Sequence, residues 1–146
     1  MHLLIRAISA YSGPSILLGA FRTKDLAESA RREYLATVMH GGADPWADQE
    51  NPSSSDRDLV VRSDLELIGC DAAIDRVFVV GAAFYGMGQI LRGFLAIAGS
   101  KAAAAEHAAK VAAENANDDF FCGTAIWAVP LDTLSTDRDG YPGENA

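Results

Sequence analysis

Residues 77–98 read VFVVGAAFYGMGQILRGFLAIA, and this stretch decides the fold that the sequence predicts. Two apolar runs flank the segment Gly86-Met87-Gly88, and glycine readily adopts the backbone angles of a tight turn between antiparallel strands. Further glycines, a glutamine and an arginine interrupt the apolar character, which disfavours a membrane-spanning helix. The stretch therefore predicts a β-hairpin.

Residues 3–21 show the same order of features: an apolar run, a tyrosine, turn formers at 12–14 and a second apolar run. Aligning them with residues 77–95 gives a small set of identities. The identical pairs are Tyr11 with Tyr85, Ile16 with Ile90, Leu17 with Leu91, and Gly19 with Gly93. We therefore predict that the chain contains two diverged copies of one structural unit.

A helix is predicted after each hairpin. Thr23 and Ser100 are hydroxyl residues suited to accept a hydrogen bond from an unpaired backbone N–H at a helix start. The first helix should run from about residue 24 to 38, with apolar residues, Leu26 among them, at helical spacing. The second, 101–114, is nearly all alanine, the best helix former.

A strand should close each copy, over residues 59–67 and 120–129. The first alternates apolar and polar residues, whereas the second is more apolar and ends at Pro130, which cannot donate to a ladder. The predicted fold is α+β: two tandem strand-strand-helix-strand repeats, each resembling half of a ferredoxin-like fold. They should pack about a pseudo-two-fold axis with a mainly antiparallel sheet, either as one continuous sheet or as two facing sheets.

The chain should form a single domain, 1–146. Repeat one spans 1–70 and includes an acidic loop at 41–58; repeat two spans 71–132. Residues 133–146 are polar and rich in glycine, proline and aspartate, which predicts a flexible tail.

The composition indicates an acidic cytoplasmic protein. Twenty Asp and Glu residues against 12 Lys and Arg give a net charge of -8, which repels a phosphate backbone and favours cationic partners. No segment predicts membrane insertion. Cys70 and Cys122 lack a C-x-x-C motif or a neighbouring histidine, which predicts two reduced thiols. Because Cys122 falls within a predicted core strand, we expect an inert thiol there.

No residue pattern indicates catalysis, a cofactor or a metal. His40, Asp44, Asp48 and Glu50 are the nearest approach to a ligand set, but their spacing does not match a calcium loop, and a solvated acidic loop is the preferred interpretation. The 86–88 segment is not followed by the Gly-Lys-Ser of a phosphate-binding loop.

Aromatic residues next to acidic ones suggest a protein-binding surface. Trp46 is the one large apolar residue of the acidic loop, and Tyr11 and Tyr85 lie at equivalent hairpin tips. The predicted partner-binding residues are Tyr11, Asp44, Trp46, Asp48, Glu50, Asp56 and Tyr85.

We therefore expect a non-enzymatic acidic module that binds a basic protein, such as a toxin or a nucleic-acid-processing enzyme. In general character it is similar to bacterial immunity proteins that sequester cationic toxins and to phage-encoded inhibitors of nucleic-acid enzymes. One alternative is a small enzyme or ligand-binding domain with a cleft between the repeats. Another is a structural homo-oligomer, of which a homodimer is the simplest form.

Overall fold

The computed structural model describes residues 1–7, 15–39, 59–71, 73–86, 88–135, 137 and 139–146. The predicted acidic loop, 41–58, lies outside them. Within the described residues, the elements in chain order are β1 (His2–Arg6), β2 (Ile16–Phe21), α1 (Lys24–Tyr34) with a π-helical turn (Leu35–Met39), β3 (Leu59–Arg62), β4 (Glu66–Ile68), β5 (Arg76–Gly86), β6 (Gln89–Ala98), α2 (Lys101–Glu114), β7 (Phe121–Pro130) and β8 (Gly143–Asn145).

The strands form two sheets. Sheet A has three strands in the order β2-β1-β3, and sheet B has five in the order β4-β6-β5-β7-β8. Neighbouring strands are antiparallel except β4 and β6, which are parallel. The α+β class with mostly antiparallel strands is thereby confirmed, and the choice between one sheet and two is made in favour of two.

Three apolar clusters hold the helices and sheets together in layers. The first joins the facing sides of the two sheets, with residues such as Leu3 and Leu17 from sheet A against Val79 and Trp127 from sheet B. The second packs α1 on the outer side of sheet A, and the third packs α2 on the outer side of sheet B. The resulting order is helix, sheet, sheet, helix, and each sheet has an apolar neighbour on both sides.

Both hairpins carry a bulge in their second strand. In sheet A, Leu4 pairs with Gly19 and Ile5 with Leu17, so Leu18 is skipped. In sheet B, Val80 pairs with Ala96 and Gly81 with Phe94, so Leu95 is skipped. Each skipped leucine lies five residues before the N-cap of the helix that follows. A bulge increases the local twist of a strand and so re-aims the chain that leaves it.

The two helices begin where the hydroxyl residues predict. The Leu26 N–H donates to Thr23 Oγ1 at 3.2 Å, and the Ala103 N–H donates to Ser100 Oγ at 3.2 Å. The α-helical part of the first helix is shorter than predicted, because after Tyr34 the chain continues in a π-helical turn. Leu26, predicted on the apolar side, is instead 43% exposed.

The prediction of one strand over 59–67 is wrong. The chain pairs with β1 as β3, turns, and then joins the edge of sheet B as β4. Alternating polarity marks a half-buried strand but does not say which sheet the strand joins. The side chains of Arg62 and Asp64 form an ion pair of 3.0 Å at the turn, and Leu65 packs against the core between the sheets.

The prediction of a free tail over 133–146 also differs from the structure. The N–H groups of Ser135 and Tyr141 donate to the carbonyl oxygens of Leu18 and Leu17, so this segment runs beside the outer edge of β2. It then returns to sheet B as β8. Backbone hydrogen bonds hold this segment, and every residue except proline can donate one, so the segment needs no apolar pattern in its sequence. Its polar composition therefore predicts a tail.

An arginine and an aspartate join the ends of β2 and β7. The guanidinium of Arg22 contacts the carboxylate of Asp132 and the carbonyl oxygen of Ile74, and the Arg22 N–H donates to Asp132 Oδ1 at 2.9 Å. Asp132 adopts a positive φ of 57°, a conformation that aspartate tolerates better than most residues.

Candidate partner-binding surface

Only one of the predicted partner-binding residues can be placed. Tyr85 lies near the end of β5 and is 51% exposed. The other predicted residues, Tyr11, Asp44, Trp46, Asp48, Glu50 and Asp56, lie outside the described residues.

Tyr85 belongs to a group of exposed apolar side chains at the far end of sheet B. The group includes Ile90, 50% exposed, Leu91, 39% exposed, and Phe120, 60% exposed. Tyr85 and Ile90 are direct cross-strand partners, and the Tyr85 N–H donates to the Phe120 carbonyl at 2.7 Å. We call these four residues the apolar tip.

The apolar tip extends from paired strands. Phe84 pairs with Leu91 on the opposite face of the hairpin from Tyr85 and Ile90, because successive residues of a strand point to opposite faces. The rings of Phe84 and Phe121 lie 5.5 Å apart in a tilted arrangement. Strand pairing therefore fixes the backbone of Tyr85, Ile90 and Leu91, so little backbone freedom remains to be lost there on binding.

Two carboxylates adjoin the apolar tip. Asp118 and Asp119 are exposed and directly precede Phe120. Asp118 Oδ1 accepts a hydrogen bond of 2.9 Å from the Phe120 N–H, which fixes the turn that presents the phenyl ring. The tip thus combines an apolar centre with negative charge at its rim.

The sequence prediction missed Phe120 as a surface residue, because it counted Phe120 as the first residue of an apolar strand. The strand begins one residue later, at Phe121. The run Asp118-Asp119-Phe120-Phe121 held a usable signal: two acidic residues before an aromatic pair indicate a turn, and so an exposed first ring.

The expectation of a buried Cys122 is wrong, because its side chain is exposed. β7 has its own bulge here: Ala83 pairs with Gly123 and Phe84 with Phe121, so Cys122 has no partner in β5. Cys70 is partly buried, and burial raises the pKa of its thiol, which donates to the Ile97 carbonyl at 3.3 Å. A buried thiol with a raised pKa is a poor nucleophile.

Two of the three histidines are described. His107 is partly buried on α2, with Nε2 4.0 Å from a carboxylate oxygen of Glu66 on β4. His2 Nδ1 lies 2.6 Å from Ser63 Oγ. Among the described residues, no group of three or more His, Cys, Asp and Glu side chains is placed to hold a metal ion.

Three of the cavities formed by described residues lie on sheet B. The largest, about 420 Å³, runs between α2 and β8, and Lys101 and Glu144 face each other across it at 4.0 Å. A second, about 310 Å³, continues past Phe78 and Ala128. The third, about 190 Å³, lies beside Arg92. Residues from 76 onward line all three of these cavities.

Across the described ranges, no helix is long and apolar enough to cross a membrane. No protein-family model matches the chain, and comparison with curated proteins and with solved structures found no significant match. The function therefore has to be argued from the geometry and charge of this chain itself.

Proposed function

We propose that this chain is a non-enzymatic acidic module that binds and restrains a basic protein partner, in the manner of an immunity protein or an inhibitor. The observation that supports this most directly is the apolar tip with its two adjacent carboxylates. The partner would be a cationic protein such as a toxin or a nucleic-acid-processing enzyme, met in the reducing cytoplasm.

The tip has the make-up of an interface centre. Single exposed apolar residues are ordinary, but at this end of sheet B Tyr85 and Ile90 are exposed on one face of the hairpin, Leu91 is exposed on the other, and Phe120 adjoins them, each more than a third exposed. Tyrosine, other aromatics and aliphatic anchors at the middle of an interface supply most of its binding free energy once water is excluded. A partner that covers the tip would remove this apolar surface from water.

The charge of the chain selects the partner. A net charge of -8 draws a cationic protein toward the surface and repels nucleic acid. Asp118 and Asp119 then place negative charge next to the apolar centre, where opposite charges on the partner fix its orientation. Tyr11, Trp46 and the carboxylates of Asp44, Asp48, Glu50 and Asp56 would add anchors and acidic groups of the same kind.

We also propose that the two halves are repeats of one unit within a single domain, related by a pseudo-two-fold axis. Each half runs strand, strand, helix, strand, with the first strand between the other two. Each second strand skips a leucine five residues before a hydroxyl N-cap, which matches Leu18 with Leu95, three residues away from the register of the sequence alignment of 3–21 with 77–95. A shared bulge position supports common descent, because bulges are kept as structural features within families.

The partner-binding proposal is tested by affinity purification from the source cells. The tagged chain should retain a basic protein in a stoichiometric amount, and the retained amount should fall steeply as salt is raised. The double variant Tyr85→Ser/Phe120→Ser should reduce retention at least tenfold, because both anchors are lost. The matched control is Leu26→Ser, which removes a similarly exposed apolar side chain from α1.

Two charge-reversing substitutions distinguish the local effect of the carboxylates at the tip from the effect of the net charge of the chain. Asp119→Lys and Glu33→Lys change the net charge equally, but Glu33 is exposed on α1, away from the tip. We expect Asp119→Lys to weaken binding more strongly. Equal effects of tip and control variants, or a chain that retains only copies of itself, would overturn the proposal. Light scattering that shows a concentration-dependent dimer would instead favour the homo-oligomer alternative.

A further inference from the structure

Trp127 lies flat across three strands of sheet B. It belongs to β7, and the strands on both sides carry a glycine beneath its ring: Gly81 on β5 and Gly143 on β8. A Cβ atom added at Gly81 would lie 2.8 Å from Cζ3 of the indole, and one added at Gly143 would lie 2.7 Å from its Nε1. The two glycines therefore make the room that the indole occupies.

Arg92 stacks on this ring. Its guanidinium carbon is 5.4 Å from the centroid of Trp127, within the range of a cation–π interaction. Phe94 packs edge-on against the same indole, with centroids 5.0 Å apart. The arginine is thus held against an aromatic surface, and among the described residues no carboxylate forms an ion pair with it.

The guanidinium borders a small cavity of about 190 Å³. Ala83, Gly123 and Ala125 contribute small side chains or bare backbone to its lining, and Asn145 contributes an amide. No Asp or Glu lines the cavity. In a chain with a net charge of -8, the one charged side chain that lines this cavity is a cation.

We propose that this cavity binds a small carboxylate through Arg92. A planar guanidinium donates two parallel hydrogen bonds to a carboxylate, and the indole holds it in one orientation for that contact. Asn145 has an amide that can donate a further hydrogen bond. A monoanion fits better than a phosphate dianion, because a single positive charge is available and the rest of the protein is acidic.

This site does not depend on the proposed partner. The cavity touches the apolar tip through Ile90 alone, and the ligand needs neither Tyr85 nor Phe120. Acetate is the simplest probe of the chemistry, and an N-acetylated amino acid tests whether the cavity admits a carboxylate carried on a peptide.

The experiment uses the fluorescence of Trp127. The chain has two tryptophans, so Trp46→Phe makes Trp127 the only reporter. Titration with sodium acetate at constant ionic strength should change the emission saturably, with a dissociation constant on the order of millimolar, which is within reach of a very small ligand. Inorganic phosphate should bind more weakly.

Substitutions locate the site. In the same background, Arg92→Gln should raise the dissociation constant at least tenfold, and Arg92→Lys should raise it less, because the charge remains but the planar fork is lost. Arg76→Gln, at an exposed arginine of β5 that does not line this cavity, should leave it unchanged. Asn145→Ala, on the exposed strand β8, should weaken binding several-fold while the fold is retained.

Any of three titration results would overturn the proposal: no saturable change in the parent, an equal response in Arg92→Gln and Arg76→Gln, or tighter binding of phosphate than of acetate. If Arg92→Gln lowers the melting temperature, Asn145→Ala decides in its place. Acetate should also raise the melting temperature of the full-length parent by mass action, and a melting temperature unmoved at saturating acetate would contradict the site.

Discussion

β1 lies between β2 and β3 in sheet A, and β5 lies between β6 and β7 in sheet B, but the strands of the two sheets differ in length. The strands of sheet A are four to six residues long, whereas β5, β6 and β7 of sheet B are 10 or 11. All six residues of β2 are buried, because sheet B, α1 and the 131–141 segment each cover part of it. Sheet B continues beyond this shared region, and its far end carries the apolar tip and the Arg92 cavity.

The difference lies in how much of each sheet enters the common core. Where the two sheets face each other, residues of both are used for the common core. Where sheet B extends beyond sheet A, its residues do not contribute to the common core and can contact other molecules. Among the described residues, the apolar tip and the Arg92 cavity both lie in the longer half.

The largest effect is expected from a substitution that disturbs the packing of Trp127 in sheet B. Gly81→Ala should lower the free energy of unfolding by about 1–3 kcal/mol, because the added methyl group meets both the Gly93 carbonyl and the Trp127 ring at 2.8 Å. Gly93→Ala, on the neighbouring strand with no atom within 4 Å, should be neutral or slightly stabilising. Urea denaturation of both variants measures the difference, and equal stabilities would show that the indole does not lie across Gly81.

A smaller effect is expected from substitutions at the two helix N-caps, one in each half. Thr23→Ala and Ser100→Ala should each lower the free energy of unfolding by about 1 kcal/mol, because each removes a side-chain acceptor from a helix N-terminus. Ser100→Asn, which keeps an acceptor, should lose little. If one alanine variant were harmless and the other severe, the two caps would not be equivalent.

The smallest effect concerns the first strand of each half. β1 begins with His2 and β5 with Arg76, and of the two only histidine titrates near neutral pH. Burial, the N-terminal ammonium and Lys24 hold the pKa of His2 below its ordinary value of 6.5. The unfolded chain therefore takes up this proton more readily.

The stabilisation associated with His2 should be fully present above pH 6.5 and be lost as the pH falls through the lower pKa of the folded state. Melting curves between pH 7.5 and 5 should show that His2→Gln loses less stability on acidification than the parent. An identical pH dependence of both proteins would mean that His2 keeps its ordinary pKa in the fold.

The local elements could be predicted from the sequence because their signals are local. Glycines indicated the position of the second hairpin, hydroxyl residues indicated where both helices begin, and Pro130 indicated where β7 ends. The sequence failed where pairing depends on distant residues: the step from β3 to β4, and the return of the chain as β8.

The candidate sites were harder still. Phe120 was assigned to a buried strand because the predicted strand starts one residue too early, and Cys122 because periodicity does not reveal the bulge that leaves it without a partner in β5. Arg92 carried no signal in the sequence, since its surroundings come from β5, β7 and β8, and only the folded sheet brings them together.

The step from β3 to β4 ties the two halves into one folding unit. A fragment made of the first half would end in a strand whose partner, β6, belongs to the second half, and a fragment made of the second half would leave β6 as a bare edge. Exposed edges invite pairing with other chains.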